Sequence, residues 1–536
     1  MDAATFSPSV YAESLRRLRE TPTRSLTRIP GFRRPSTEYE QAAQEPSDAR
    51  FQPAPPFELS PIAASDATPG SMAPPAPDEP LLVQPPPLRI VIMITGTLGD
   101  VMPFCQMARM LQDRYGHVVR IATHGDLRSA VTKQGVRFYP LGGLAQQMAG
   151  WGPSFSLVPR VLLGLAAKAH VSYFKLKVFR EIIFSTYGAC TEPDPDDPAA
   201  EPFRADAIIA NPMSVGHVHC AEALGIPLHL MFPNPWVATT DYPHSFSGWQ
   251  YEPNPSRSQR YANFASYKIV DDVLWHSFLT SVNELRTNCR LRTIRLGAFG
   301  GGLVADNQIP FSQMWSPSLC PRPADWPAEA SVVGFFFWDQ EASQVDETAP
   351  EIAALLRWLA AGPKPVYVGF GSMPFPGPAT VDMIAQASER AGVRVLLQSG
   401  GGDLSTSSGS TLPPSLFHIG RCPHDWLLPR VAALVHHGGA GTVGAGLRLG
   451  IPTMCCPFFG DQFFYGAMVA RSGAGPPPIP FASLTPAKLA AAFTALLSTP
   501  HLDGAARIAS VLRTSRPRAG LTAAYIVLRS TYYGSV

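Results

Sequence analysis

The residues best suited to chemistry lie in His436-His437-Gly438-Gly439-Ala440-Gly441-Thr442. Glycines at that spacing remove side-chain bulk, so that backbone N–H groups and the positive end of a following helix can face a phosphate. His437 can donate to a phosphate oxygen and Thr442 can add a hydroxyl. A tight turn with no ligand would use the same glycines, and composition alone leaves both readings open. Nineteen residues after Thr442, the segment PFFGDQ ends in Asp461 and Gln462. These offer acceptor and donor groups suited to sugar hydroxyls, although such a pair alone is an ordinary helix cap. Upstream, RCPHDWLLP (Arg421 to Pro429) supplies backbone polar groups, an imidazole and an indole for a planar base. Trp426 taken by itself reads as core. A further pair, Asp194 and Asp196, has the D-x-D spacing of a metal site. It sits in EPDPDDPAAEP with no strand before it, so a solvated loop is expected there and no metal requirement.

These residues need elements to hold them. RIVIMIT (Arg89 to Thr95) is a continuous apolar run of the kind buried on both faces of a parallel sheet, ended by Gly96-Thr97-Leu98-Gly99-Asp100. PFCQMARMLQDRYG follows at helical spacing and stops at Gly116. The strand VVRIAT, a helix through DLRSAVTKQG and the strand VRFYPL come next. After a mostly helical stretch from Trp151 to Ser185, ADAIIANP, HVHCAEALG and PLHLMF repeat the pattern, and Tyr261 to Arg292 reads as a long helix. A second unit opens at KPVYVGFGSM and continues through VRVLLQS, AALVHHGG, PTMCCPF and closing helices up to Arg518. Alternation at short intervals predicts an α/β fold of two doubly wound halves. The join lies near Pro321 to Pro363, and the expected bounds are 88–322 and 323–536.

Twelve of the 56 prolines fall between Pro53 and Pro87, a stretch too poor in aromatic and β-branched residues to build a core. Residues 1–87 are therefore expected to be a disordered tail, with seven Arg between Arg16 and Arg34. The net charge of +2 excludes a surface built to neutralise many phosphates, so nucleic acid is not an expected partner. Charged residues are only 16% of the chain, which leans towards apolar clefts. The eight cysteines form no C-x-x-C pair and suggest a reducing, cytoplasmic setting. Phe155 to Phe184 mixes Leu, Val and Phe with Arg and Lys. It suits either an interfacial helix in peripheral contact with a membrane or a helix packed inside the domain.

The order of the three ligand-like pieces, together with several longer stretches, resembles the UDP-dependent glycosyltransferases of two-domain, twin Rossmann (GT-B) architecture. In finer detail the chain is similar to the sterol 3β-glucosyltransferases. GTLGDVMPF is similar to that family's Gly-Thr-Arg-Gly-Asp-Val-x-Pro-Phe turn, with Leu98 in place of the Arg. THGDLRSAVTKQGVRFYPLGG, AEALGIPLHLMFPNPW, PRPADWPAEASVVGFFF, GFGSM and RCPHDWLLPRVAALVHHGGAGT also match. The likeness runs from Leu88 to about Phe493. The loose stretch QSGGGDLSTSSGS departs from the family by lacking a Lys and a Trp.

The resemblance implies two Rossmann-like domains facing across a cleft and an inverting transfer from a UDP-sugar, with glucose expected, to a lipophilic alcohol. It makes Asp100 the candidate base, acting directly or through a neighbour such as His124, with a plain helix cap as the other reading. It places His437, Ser372 and Thr442 at the diphosphate, Cys422 and His424 at the uracil, and Asp461 and Gln462 at the hexose. Thr97, Gly439, Ala440 and Gly441 complete the implied UDP-sugar site. UDP-glucose is a co-substrate, and no cofactor or metal is implied. A sterol and a terpenoid acceptor both stay open, as does a silent lipid- or nucleotide-binding relative.

Overall fold

The computed structural model describes residues 87–149, 173–294, 309–337, 345–371, 377–398, 412–420 and 422–513. The expected tail (all but Pro87), Ser372, Arg421, residues 150–172 of the apolar segment and everything past 513 lie outside the described residues.

Strand β1 (Arg89–Met93) shows why this chain makes a parallel sheet. Successive side chains point to opposite faces, and both sets are apolar. Val91 and Met93 enter one buried cluster with Phe179, Ile182 and Ile183, while Ile90 and Ile92 enter another with Val101, Phe104 and Met107. Those partners come from helix α1 (Leu98–Tyr115) on one side and α2 (Tyr173–Thr191) on the other. The described part of the segment that could have been interfacial packs one face on the sheet through Val178, Phe179, Ile182 and Ile183 and leaves Lys177, Arg180 and Glu181 exposed. Among the described residues no helix is long and apolar enough to cross a membrane.

The sheet continues through β2 (Val118–His124), β3 (Arg137–Leu141), β4 (Ala207–Ala210), β5 (Leu228–Phe232), β6 (Phe311–Gln313) and β7 (Ala330–Val332). Its order is β3-β2-β1-β4-β5-β6-β7, all parallel. Because β7 pairs with β6, the N-terminal half extends past Val332. Strand β7 lies inside the Pro-rich stretch in which the join was expected. FSQ and ASV are too short to show any period.

The second sheet contains β8 (Val366–Gly369), β9 (Val395–Gln398), β10 (Leu416–Ile419), β11 (Ala433–His436) and β12 (Thr453–Cys455), ordered β10-β9-β8-β11-β12. In both sheets the first strand lies beside the fourth, β1 against β4 and β8 against β11. Such a reversal of strand order opens a crevice at the carboxyl ends of the strands, the place where open α/β sheets bind ligands.

The halves are fused by a shared core. Helix α3 (Asp461–Arg471) buries Phe464, Tyr465, Met468 and Val469 against Tyr242, Trp315, Leu319 and Trp326. Phe464 lies 5.0 Å from Trp315 and 5.2 Å from Tyr242, ring centre to ring centre. Tyr465 adds a hydrogen bond from its hydroxyl to the Pro233 carbonyl at 2.5 Å.

Candidate active site

At the N-terminal crevice the chain leaves β1 through Thr95 and Gly96. Buried Asn211, just past β4, fixes the exit by bonding Thr95 from both sides of its amide: Thr95 N–H donates to Oδ1 at 3.2 Å and Nδ2 donates to the Thr95 carbonyl at 2.8 Å. Asp100 then stands in the first turn of α1. Its Oδ2 accepts from the Thr97 N–H at 2.7 Å and from the Thr97 hydroxyl at 2.9 Å, capping the helix. Gly96 has φ +156°, and a Cβ there would fall 2.5 Å from that same Oδ2, so the glycine makes room for the carboxylate. Burial raises the Asp100 carboxyl above its ordinary value, while the Thr97 hydrogen bonds work in the opposite direction.

The relay through His124 is corrected. Its Nε2 accepts the Gly96 N–H at 3.2 Å and its Nδ1 lies 3.0 Å from the Gly142 carbonyl. A carbonyl only accepts, so Nδ1 carries the proton and the single lone pair on Nε2 is taken. Burial lowers the pKa of this ring, in keeping with the neutral form. His124 braces the turn and has no place left for a substrate proton. Thr97, expected at the UDP-sugar, gives its hydroxyl proton to Asp100 and keeps its oxygen lone pairs as acceptors.

At the C-terminal crevice the same space is filled by imidazole. A Cβ on Gly371 would stand 2.9 Å from His437 Cε1, and one on Gly439 would stand 2.5 Å from His437 Nε2. The ring therefore lies between the turn after β8 and the turn after β11. Burial, helped by His424, pushes its pKa down to about 4, so it is a neutral donor near pH 7. Its Nδ1 is buried without a partner among the described residues. His436 beside it is structural: its Nδ1 accepts the Gly438 N–H at 3.0 Å.

Gly439 caps helix α4 (Ala440–Arg448) and Ala440, Gly441 and Thr442 form its first turn, where N–H groups have no partner inside the helix. A Cβ on Gly441 would meet nothing within 4 Å, so packing does not require this glycine. The bare turn faces open space, as a diphosphate cradle needs.

Next to it, β9 ends in Gln398. Its Nε2 donates to the carbonyls of Gly420 at 3.1 Å and Cys422 at 3.2 Å, and its Oε1 accepts from the Tyr367 hydroxyl at 2.5 Å. Tyr367 Oη also lies 3.4 Å from His424 Nε2. Cys422 is buried and its thiol is pushed up to about 11 by burial, so this residue can read a base only through its backbone. Trp426 is core: its indole N–H goes to Glu347 at 2.9 Å and Arg430 covers its ring.

Asp461 opens α3 directly at the seam between the halves. Burial, then the nearby charge of Asp100, pushes its carboxyl up to about 7. Gln462 is buried, and its Oε1 accepts from Phe458 N–H at 2.8 Å and Phe459 N–H at 3.3 Å, so that oxygen shapes the PFFG turn. Phe246 of the N-terminal half reaches within 3.7 Å of a Cβ built on Gly460.

Asp196 lies in an exposed loop as expected, whereas Asp194 departs from that expectation and is buried. Arg128 binds both: Nη1 meets Asp194 at 2.5 Å and Nη2 meets Asp196 at 2.7 Å, with Asp194 buried. Among the described residues no cluster of His, Cys, Asp or Glu is arranged to hold a metal ion. The structure thus brings Asp100, His437, Thr442, His424 and Asp461 to the facing crevices. Gly96, Gly371 and Gln398 also belong to these crevices, their signal in the sequence being a place at or just past the carboxyl end of a strand, and Tyr367 joins them from within β8.

Residues 90–243 match the glycosyltransferase family 28 N-terminal domain, and residues 402–519 match the erythromycin biosynthesis protein CIII-like C-terminal domain. Sterol 3-beta-glucosyltransferase UGT80A2 of Arabidopsis thaliana is 38% identical over 454 residues, which is 82% of this chain and 65% of that protein. The chain therefore spans just under two thirds of that relative's length. Among solved structures, the glycotransferase of kitacinnamycin superposes with a TM-score of 0.57 at 19% identity, covering 83% of this chain and 100% of the other. Arabidopsis thaliana UGT89C1, solved with UDP-L-rhamnose, gives 0.54 at 13% identity over 83% and 99%. The twin sheets with their facing crevices are the GT-B glycosyltransferase fold, and the chain is a homologue of the sterol 3-beta-glucosyltransferases.

Proposed function

We propose that this protein is an inverting glycosyltransferase that moves glucose from UDP-glucose to the hydroxyl of a sterol. The observation that carries the reading is the placing of two carboxylates from different halves, Asp100 in the first turn of α1 at the N-terminal crevice and Asp461 in the first turn of α3, the helix packed across the seam. A base on one wall and a sugar-reading group on the other is what a displacement at the anomeric carbon requires. The name of the plant relative supports a sterol as acceptor and glucose as the sugar.

The acceptor oxygen attacks C1 of the glucose on the face opposite the diphosphate. The C1–O bond to the phosphate breaks, UDP leaves with that electron pair, and the hydroxyl proton passes directly to Asp100. Oδ1 is the receiving atom, since both Thr97 bonds fall on Oδ2. Burial suits Asp100 to this work, because a base acts best when its pKa approaches the working pH. His437 and the N–H groups of Ala440 to Thr442 stabilise the charge that develops on the leaving diphosphate. Asp461 holds the hexose hydroxyls. The chemistry needs no metal, because these donors do the work a cation would do. All eight cysteines are free thiols, which fits the cytoplasm as its place of action.

Incubation of the purified chain with UDP-glucose and a panel of sterols and terpenoid alcohols tests the reading. The expected product is a sterol β-glucoside together with UDP. A panel that yields no glucoside, or only terpenoid glucosides, overturns the acceptor assignment.

A further inference from the structure

We propose that Gln398 and Tyr367 are positioning residues that set the preference for uracil, by holding the carbonyl of Cys422 in the orientation that accepts the N3–H of the base. This rests on the proposed UDP-sugar site and deepens it.

The Gln398 side chain ties the end of β9 to the loop after β10. One Nε2 spans two carbonyls, Gly420 at 3.1 Å and Cys422 at 3.2 Å. An amide nitrogen shared by two acceptors holds the direction of both carbonyls. The amide is itself oriented, because the two carbonyls only accept and so require the nitrogen, which leaves Oε1 to take the Tyr367 hydroxyl at 2.5 Å. Tyr367 is held in turn. It is buried in β8, its hydroxyl lies over Gly369, where a Cβ would be 2.2 Å away, and its ring meets His424 edge-on at 5.9 Å. The chain of contacts therefore runs from the core of the sheet to the carbonyl of Cys422.

A carbonyl oxygen has two lone pairs, and Gln398 occupies only one on Cys422. Among the described residues no second donor meets that oxygen, so it can take one from a ligand in the crevice. Uracil presents N3–H between two carbonyls, whereas cytosine presents an acceptor at N3. A fixed carbonyl therefore favours uracil and leaves cytosine with two acceptors opposed. The Cys422 thiol cannot supply this discrimination, since burial keeps it protonated and enclosed. Trp426 cannot either, its N–H being bound to Glu347.

The test is calorimetric binding of UDP and CDP to the full chain, with steady-state kinetics on UDP-glucose. The unmodified protein is expected to bind UDP at least about tenfold tighter than CDP, the size of one hydrogen bond with its mismatch. Gln398→Leu is expected to weaken UDP by about tenfold and CDP much less, so that the preference shrinks, while kcat at saturating UDP-glucose stays within about twofold. Gln398→Glu keeps the acceptor for Tyr367 but loses the donor to Cys422, and should behave like Gln398→Leu. Tyr367→Phe should narrow the preference in the same direction by a smaller factor, and it carries the test if Gln398→Leu does not fold. An unchanged UDP-to-CDP ratio in the folded variants, or a wild-type ratio in Gln398→Glu, overturns the positioning role and leaves the UDP-sugar site standing. Failure of the unmodified protein to bind UDP overturns the site itself.

Discussion

The two crevices are built alike and charged differently. After β1, Gly96 clears a space that the carboxylate of Asp100 fills; after β8 and β11, Gly371 and Gly439 clear a space that the ring of His437 fills. Each half thus uses glycine to bring one functional side chain against the backbone at the reversal of strand order. In the N-terminal half the group is an acid with raised pKa, pinned by Thr97 and braced by a neutral His124. In the C-terminal half it is a neutral imidazole beside a bare helix start. On the function proposed above, one scaffold used twice would supply a base for the incoming hydroxyl and donors for the departing diphosphate. Function resides in what occupies the space, and the fold fixes only where that space is.

The largest effect should come from the acid. Asp100→Asn keeps the shape and the capping acceptor, so kcat is expected to fall about 10²–10⁴-fold with UDP affinity unchanged. The melting curve should move by no more than about 1 kcal/mol of capping energy. Near-normal turnover would reduce Asp100 to a helix cap and break the contrast between the halves.

His437→Ala probes the opposite wall. Loss of one charge-stabilising donor should lower kcat/KM by about 10²-fold and weaken UDP binding as well. Selective loss of turnover with full UDP affinity would move the diphosphate away from this ring.

Asp461 sharpens the comparison at the seam, and here the sign is set by its raised pKa of about 7 against 3.8 for an exposed aspartate. Between those values the folded chain holds a proton that the unfolded chain has lost, so stability falls as pH rises and the penalty is complete above about pH 7. Asp461→Asn removes the penalty. The variant is expected to melt above the unmodified protein at pH 8, with the gap closing towards pH 4. A constant gap would mean that Asp461 ionises normally.

Smallest of all should be Asp196→Ala, which removes a half-exposed ion pair with Arg128. A change of at most about 1 kcal/mol is expected, with activity unaltered and insensitive to a chelator. Chelator-dependent activity would return the D-x-D pair to consideration as a metal site.

Much of this was legible in the residues. Apolar runs such as RIVIM and ALVH announce buried parallel strands because both of their faces are apolar, and the HHGGAGT segment announces a close approach because glycines leave nothing else to do there. β6 and β7 are not legible, since three residues carry no period. Trp426 followed the plain expectation of a core indole. Asp194 did not follow that of a solvated loop, because its partner Arg128 is distant in sequence.

The sequence by itself determined which chemistry was available: a carboxylate in a first turn, an imidazole among glycines, an acid and an amide after a strand. Tertiary structure alone decided their states and partners. His124 became a brace and lost its place as a relay because the Gly96 N–H took its lone pair. Gln462 turned its oxygen to the backbone of its own loop. Asp461 gained its high pKa only when packing of Phe464 and Tyr465 against Trp315 and Pro233 drew it into a poorly solvated seam beside Asp100. Such states depend on desolvation and on charges far away along the chain, and neither is written in local residue order.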